Sequence, residues 1–542
     1  MTIVLRGGTV FDGLGSPGVV ADVLVSGGLV RQVGTVDVPP GARILACDGL
    51  FVAPGFVDAH AHSDLAPFLP EPQPFKLLQG VTTEINGNCG ISFAPADAPA
   101  ADLLAGALHD VVRGIEVRPM GFGAFLEAVR QAGPVNHVAY LVGHGTLRLT
   151  ANGPGEELAP GALERMTRLA AESFEAGAIG FSTGLIYPPG CYADLPELQA
   201  LARAAAPYGS IYATHMRDEG RRVLDAIDEA VAVARAGRLR LQVSHCKLAG
   251  RENHGRAGEL LARIDQARRT GVDALGDQYP YTAAATMLAA LLPNYALDGG
   301  LSALPDRLAD PAFRSRLREQ AGDGEPGDGI WGEAGPDGIL VTAHADPAVS
   351  GRTLAELAGD RDAFDVLCDV LARDPAAGMV ISAMAEEDVR EIMASPLIGI
   401  GSDNALPGPA PVHPRTYGTF PRLLGRYVRE LNVLSWAEAI RKATSLTAGH
   451  FGLRGRGTLL PGSHADIVVF DPATIGHDGS PLAPDPGVTG VLTVLLDGEP
   501  VVRDGSFTGR RCGQVLRGTD RARTAHLPCG CLQGSSSGWQ SR

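Results

Sequence analysis

Phe56-Val57-Asp58-Ala59-His60-Ala61-His62-Ser63-Asp64 is the stretch on which the reading of this 542-residue chain turns. An apolar lead-in over residues 50–57 reads as a buried strand that delivers it. Side chains of a strand alternate between faces with a period of two, so His60 and His62 point the same way from the strand's C-terminal end. Two imidazoles side by side are a ready pair of nitrogen ligands for zinc or a similar metal. Two half-exposed histidines in a turn would look the same in isolation, and the rest of the chain decides between the two.

Downstream, short apolar strands alternate with helical stretches, and the strands end on residues that carry chemistry. The strand at 81–85 leads to Gly87-Asn88-Cys89-Gly90, that at 210–214 ends at His215, that at 239–244 at His245, and that at 397–402 at Asp403. Helical stretches at 219–236 and 256–269 intervene, the second with apolar residues near helical spacing. Repeated β–α units imply an α/β protein with a parallel sheet, closed as a (β/α)8 TIM-like barrel or open. Barrels gather their chemistry where strands end, whereas an open doubly wound sheet uses fewer strand ends at one crevice. The closed barrel is therefore the expectation.

The two ends of the chain differ from this middle. Residues 1–55 read as short strands separated by Gly-rich turns, and 465–470 and 491–498 have the same character. The predicted division is one β domain built from 1–55 and 455–517, with 56–454 left for the barrel. Residues 285–345, with Pro293-Asn294-Tyr295, exceed a normal connection and read as an inserted subdomain or lid. Residues 518–542 lack any periodic pattern and read as a disordered tail, and no function is expected of its Cys529 and Cys531.

Composition narrows the class further. An apolar content of 45% over this length is ample for a large core and about two domains. A formal net charge of −15 argues against a general nucleic-acid or anionic-membrane surface. No run approaches the roughly 18 apolar residues of a membrane helix, and Met1-Thr2-Ile3-Val4-Leu5 is too short an apolar run for a signal peptide. Eight scattered cysteines read as reduced thiols of a cytoplasmic protein.

Beyond the H-A-H-S-D stretch (60–64), the chain carries T-T-E-I-N-G-N-C-G (82–90), G-H-G-T-L-R (143–148), G-F-S-T-G-L-I-Y-P-P-G (180–190), Y-A-T-H-M-R-D-E-G (212–220), V-S-H-C-K-L-A-G (243–250), D-Q-Y-P-Y (277–281), G-S-D-N (401–404) and H-P-R-T-Y-G-T-F-P-R (413–422). In this order they resemble the D-aminoacylase family, N-acyl-D-amino-acid deacylases of the amidohydrolase superfamily. The resemblance covers residues 1 to 517. It implies a metal-dependent (β/α)8 barrel with a β-sandwich formed from both chain ends, acting on a small-molecule N-acyl-D-amino acid. It further implies a tight Zn2+ site at Cys89, His215 and His245, and a second, weaker one where His60 and His62 share Cys89. Asp403 matches the catalytic aspartate. Related hydantoinases and dihydroorotases bridge their metals with a carboxylated lysine, and no lysine stands where Cys89 does, which favours the deacylase branch over a cyclic-amide hydrolase. A catalytically silent scaffold would have lost metal ligands, whereas this chain keeps six candidates.

The substrate's α-carboxylate needs cationic and hydroxyl partners. Lys247, Tyr281 and Arg415 are the candidates, with Tyr187 a further contact. Arg217, Asp218 and Glu219 follow His215 and are expected to brace it. Cys246, His344 and His413 read as structural, and His144 as a family feature that orients a loop or contacts ligand.

Overall fold

The computed structural model describes residues 1–107, 115–321, 329–407 and 412–518. The tail beyond Gly518, with Cys529 and Cys531, lies outside the described residues.

The apolar run at 50–57 is two strands rather than one: Phe51–Pro54 and Phe56–Asp58. The break falls at Gly55, where a Cβ would stand 2.2 Å from the Thr82 side chain. Only glycine lets the backbone pass that close. Phe51–Pro54 pairs with Thr2–Val10 and Ile467–Phe470, whereas Phe56–Asp58 pairs with Val81–Asn86. A single residue thus hands the chain from one sheet to another.

The first of these sheets has nine strands and mixes both chain ends. Its order runs Ser506–Phe507, Glu499–Arg503, Val491–Leu496, Ile467–Phe470, Phe51–Pro54, Thr2–Val10, Val19–Ser26 and Leu29–Gly34, with Arg43–Ala46 paired to Thr2–Val10. Period-two alternation sorts its faces. Ile467 and Val469 pack with Ile3, Leu5, Val23 and Val25, while Val468 and Phe470 pack with Phe56, Phe420 and Tyr427. The second face is therefore covered by the helical segments Arg415–Arg422 and Leu423–Glu430. The hydrogen bonding of the expected sandwich is that of one continuous sheet. Val515–Leu516 stands outside it and pairs with His137–Tyr140.

The parallel strands form two ladders. Six run in the order Val142–Gly143, Gly180–Gly184, Ile211–His215, Arg240–Val243, Ala274–Gln278 and Ile398–Ile400, and four in the order Phe56–Asp58, Val81–Asn86, His137–Tyr140 and Val515–Leu516. Most are buried along their whole length, as strands covered on both faces must be. Backbone bonds run between the ladders at two places: Ala59 N–H donates to Ile400 O at 3.1 Å, and Ile179 N–H to Tyr140 O at 2.9 Å.

Helices between the strands bury one stripe. Helix Val223–Gly237 turns Val223, Ala226, Ile227, Ala230, Val233 and Ala234 inward, the i, i+3, i+4 spacing of an amphipathic helix. It begins four residues later than the expected 219. The Asp218 carboxylate accepts from the N–H groups of Gly220 and Arg222 at 2.8 and 2.9 Å and holds 219–222 as a turn, which frees the Glu219 side chain.

The inserted segment also extends further than its sequence suggests. Its three antiparallel strands, Ala284–Met287, Ile339–Thr342 and Gly378–Ile381, carry the excursion past residue 345. Leu304, Leu308, Leu317, Leu367 and Cys368 give it a core of its own. Among the described residues, no helix is long and apolar enough to cross a membrane.

Candidate metal centre and its cavity

Three of the four predicted histidine ligands converge on one sulfur, and the fourth joins through His60. Cys89 Sγ lies 3.2 Å from His60 Nε2 and 3.6 Å from both His215 Nδ1 and His245 Nε2. His60 Nε2 and His62 Nε2 are 3.3 Å apart, so the two rings point together as a shared strand face requires. Asp403 completes the ring, its Oδ1 3.3 Å from His62 and 3.5 Å from His60. A tetrahedral zinc, with Zn–S of about 2.3 Å and Zn–N of about 2.0–2.1 Å, spaces its donors roughly 3.5 Å apart. The distances between sulfur and imidazole nitrogens match that spacing. Two donor groupings each lie within 4.8 Å: His60, Cys89, His245 and Asp403 form one, and His215, Glu219 and His245 the other.

Local backbone geometry makes this convergence possible. Cys89, His245 and Asp403 all adopt positive φ, at 51°, 34° and 50°. Such conformations are costly for residues with a Cβ, and they persist where the surroundings over-determine them, commonly at functional sites. Close approach matters as well: a Cβ on Gly184 would stand 2.1 Å from Cys89 O.

The protonation states favour ligation. Burial keeps the His60 imidazole neutral, well below its usual pKa, and pushes His215 down to about 3. As a bare thiol, Cys89 is held well above its usual range by burial and then by the Asp403 and Glu219 carboxylates. With a cation held there, the balance would reverse in favour of the thiolate. Burial alone would raise Asp403, but Arg415, then His60 and His62, hold its carboxyl well below the usual range. Arg415 Nη1 stands 2.8 Å from Asp403 Oδ2.

Glu219 braces two of the predicted ligands at once. Its Oε1 lies 2.8 Å from His245 Nδ1 and its Oε2 3.7 Å from His215 Nε2, which orients both rings by their far nitrogens. Lys247 Nζ donates to Glu219 Oε1 at 2.5 Å and stands 2.8 Å from His245 Nδ1. Burial works against the Lys247 charge, but Glu219 raises its pKa. Arg217, expected beside His215, instead binds Glu229 and the carbonyls of Cys191 and Ala193. Asp277 is a partner that the sequence left unassigned. Its Oδ1 accepts from His245 N–H at 2.8 Å and lies 3.7 Å from His60 Nδ1.

A cavity of about 980 Å³ opens over the cluster, lined by His62, Cys89, His215, Lys247, Asp403 and Arg415 among others. Tyr187 also lines it and hydrogen-bonds Thr286 at 2.8 Å, joining the 184–193 loop to the insert. Tyr281 does not line it. Its ring packs on His413, at 4.9 Å, and on the Arg422 guanidinium, at 4.7 Å. His344 is bound within the insert, near Val370 O and Asp346. Cys246 is buried with its thiol against Val243 O, away from the cluster.

A family model described as "Amidohydrolase family" matches residues 43–502. N-acyl-D-glutamate deacylase of Alcaligenes xylosoxydans xylosoxydans is 38% identical over 95% of this chain and 96% of its own. The chain belongs to the amidohydrolase family, in its D-aminoacylase branch. A D-aminoacylase solved to define the role of its binuclear metal centre superposes on this amidohydrolase with a TM-score of 0.81, at 35% identity over 95% of this chain and 99% of that one. The N-acyl-D-glutamate deacylase of Bordetella bronchiseptica, complexed with zinc and a phosphonate mimic of the tetrahedral intermediate, does so with 0.79, at 34% identity over 95% and 99%.

Proposed function

We propose that this amidohydrolase cleaves the amide bond of N-acyl-D-amino acids, releasing a carboxylate and a free D-amino acid. The observation that carries this reading is the placement of Asp403: an ionised carboxylate 3.3 and 3.5 Å from His62 and His60, in the wall of the cavity. The relatives named as N-acyl-D-glutamate deacylase and D-aminoacylase supply the substrate class. Cys89, His215 and His245 would hold a tight zinc ion, and His60 and His62, sharing Cys89, a weaker one. A divalent ion so held supplies Lewis acidity, which lowers the pKa of water and polarises the acyl oxygen.

The remaining work falls to side chains. Asp403 takes the proton of the attacking water and passes a proton to the leaving nitrogen, which departs poorly as an anion. Arg415, whose Nη2 also donates to Ala285 O, turns its guanidinium to the cavity and receives the α-carboxylate with Lys247 and Tyr187. Tyr281 contributes through His413, whose ring it backs. In this reading the two parallel ladders form one (β/α)8 barrel within 56–454, onto which Val515–Leu516, from the segment of the other domain, pairs at His137–Tyr140. Residues 1–55 and 455–517 form the β-sandwich beside it. The enzyme works in the cytoplasm on a small molecule, with no nucleic-acid or membrane partner.

The test is free amine released by the zinc-loaded protein from paired N-acetyl-D- and N-acetyl-L-amino acids with apolar and acidic side chains. D-selective release is the expected result. No release from any member, with zinc bound stoichiometrically, would overturn the reading.

A further inference from the structure

A lysine buried as deeply as Lys76, 1% exposed, must be paired. It stands just before the short helical turn Leu77–Gln79, in the connection to strand Val81–Asn86. Its Nζ donates to Asp58 Oδ2 at 2.5 Å and to Ser402 Oγ at 2.7 Å, and lies 4.0 Å from Glu84 Oε2. Asp58 spends its other oxygen on backbone: Oδ1 accepts from Ser402 N–H at 2.8 Å and from His60 N–H at 3.1 Å.

These bonds cross the join between Phe56–Asp58 and Ile398–Ile400. Asp403 N–H donates to His60 O at 2.8 Å, and Asn404 Nδ2 to Ser63 Oγ at 2.8 Å. The Ser402 hydroxyl lies 3.1 Å from Asn404 Oδ1. Asp403 itself keeps a left-handed backbone, φ 50°, so something must hold it there. Among the described residues, Lys76 is the cation within 4.0 Å of both Asp58 and Glu84.

We propose that Lys76 is a positioning residue: by tying Asp58 to Ser402, it holds His60 and Asp403 in register across the join of the first and last parallel strands. It touches neither the cavity nor the ligand atoms. Removing its charge leaves two buried carboxylates facing each other and takes from the Ser402 hydroxyl the donor that ties it to Asp58, so the Asp403 carboxylate shifts relative to the histidines. The role rests on the function proposed above, in which Asp403 moves the proton.

The experiment compares Lys76→Met, Lys76→Arg and the unaltered protein, each loaded with cobalt for its visible spectrum and with zinc for kinetics on the fastest N-acetyl-D-amino acid. Lys76→Met is expected to lose kcat by roughly tenfold to a hundredfold, since a misplacement of about 1 Å costs that much. KM should stay within about threefold, the cobalt spectrum should shift, and Lys76→Arg should recover part of the loss. A folded Lys76→Met with kcat within about twofold and an unchanged spectrum would overturn the proposal. If Lys76→Met does not fold, Ser402→Ala decides on the same two readouts. If the unaltered protein cleaves no N-acyl-D-amino acid, the functional reading fails, and the cobalt spectrum alone then decides the role of Lys76.

Discussion

Two buried clusters in this molecule use nearly the same residue types to opposite ends. One is the Cys89 centre. The other lies where the nine-stranded sheet meets strand His137–Tyr140, and its His137, Asp466 and Asp497 also fall within metal-ligand distance of one another. The second cluster contains its own cation. Arg456 bonds Asp466 and stands 3.5 Å from Asp497, while His137 Nε2 lies 3.1 Å from Asp466 Oδ1. Asp497 N–H donates to Asp466 Oδ1 at 2.9 Å, and Gln514 closes the far side on Asp497 Oδ2 at 2.8 Å. Its charges are therefore satisfied from within. At the Cys89 centre, four imidazoles and a thiol face one another, and the cations beside them, Arg415 and Lys247, are bound to Asp403 and Glu219 at the cavity wall. An arginine inside a ring of acids makes it a structural node. A ring of lone pairs that opens on a cavity is a candidate site.

The largest effect that could break this contrast is at Asp403. Asp403→Asn keeps shape and removes the proposed base, so kcat should fall by roughly 10²–10⁴ with metal content little changed. Steady-state kinetics with metal analysis measures both. A kcat within tenfold of the unaltered enzyme would place Asp403 among the structural acids.

How much of this could be read in the chain depends on the range of the interactions. His60, His62, Cys89, His215, His245 and Asp403 were legible as a group because each lies at or just after a strand end, and strand ends recur in sequence. Tyr187, Lys247 and Arg415 were legible as polar groups near those ends, and all three line the cavity. Tyr281 shares their neighbourhood in sequence, but its ring turns to His413 and Arg422. Asp58 and Lys76 were not legible as partners of the last strand: the bonds they make to Ser402 span 344 and 326 residues. The fold divides likewise. Strand-and-helix alternation was plain, but the break at Gly55 depends on a clash with Thr82, a neighbour that no local pattern reveals.

The second cluster should fail differently. Asp466→Ala leaves Arg456 and His137 buried beside a lost carboxylate, and removing one partner of a buried pair costs about 3–5 kcal/mol. A lowered urea midpoint, with kcat of the folded fraction within about twofold, is the expected result. A kcat loss beyond tenfold would make this cluster part of the site.

The same pair predicts a pH dependence. Burial would raise the Asp466 carboxyl, but His137 and Arg456 hold it well below the usual range. Its folded pKa is thus lower than the value of about 3.9 it has when unfolded. Below about pH 4 the unfolded chain binds the proton first, so the stabilisation present at neutral pH drains away as pH falls toward the folded pKa. The gap in urea midpoint between the unaltered protein and Asp466→Asn should be constant from pH 5 to 7 and narrow below about pH 4. A gap that widens on acidification would show that Asp466 is not the paired carboxylate.

The smallest expected effect lies at the rim of that cluster. His464 Nδ1 meets Asp497 Oδ1 at 2.7 Å, a shorter contact than the 3.1 Å between His137 and Asp466. Distance alone would rank it the stronger. But the His464 side chain is 38% exposed, whereas those of His137 and Asp466 are 0% and 3% exposed. Water screens the rim pair and can replace either partner, so such a contact is worth about 0–1 kcal/mol. Nothing is left buried and unpaired when it goes, because Arg456 and the Gln514 amide still serve Asp497. His464→Gln should therefore shift the urea midpoint by less than about a third of the Asp466→Ala shift. A shift of equal size would mean that the short rim contact, and not the buried arginine, holds the cluster together.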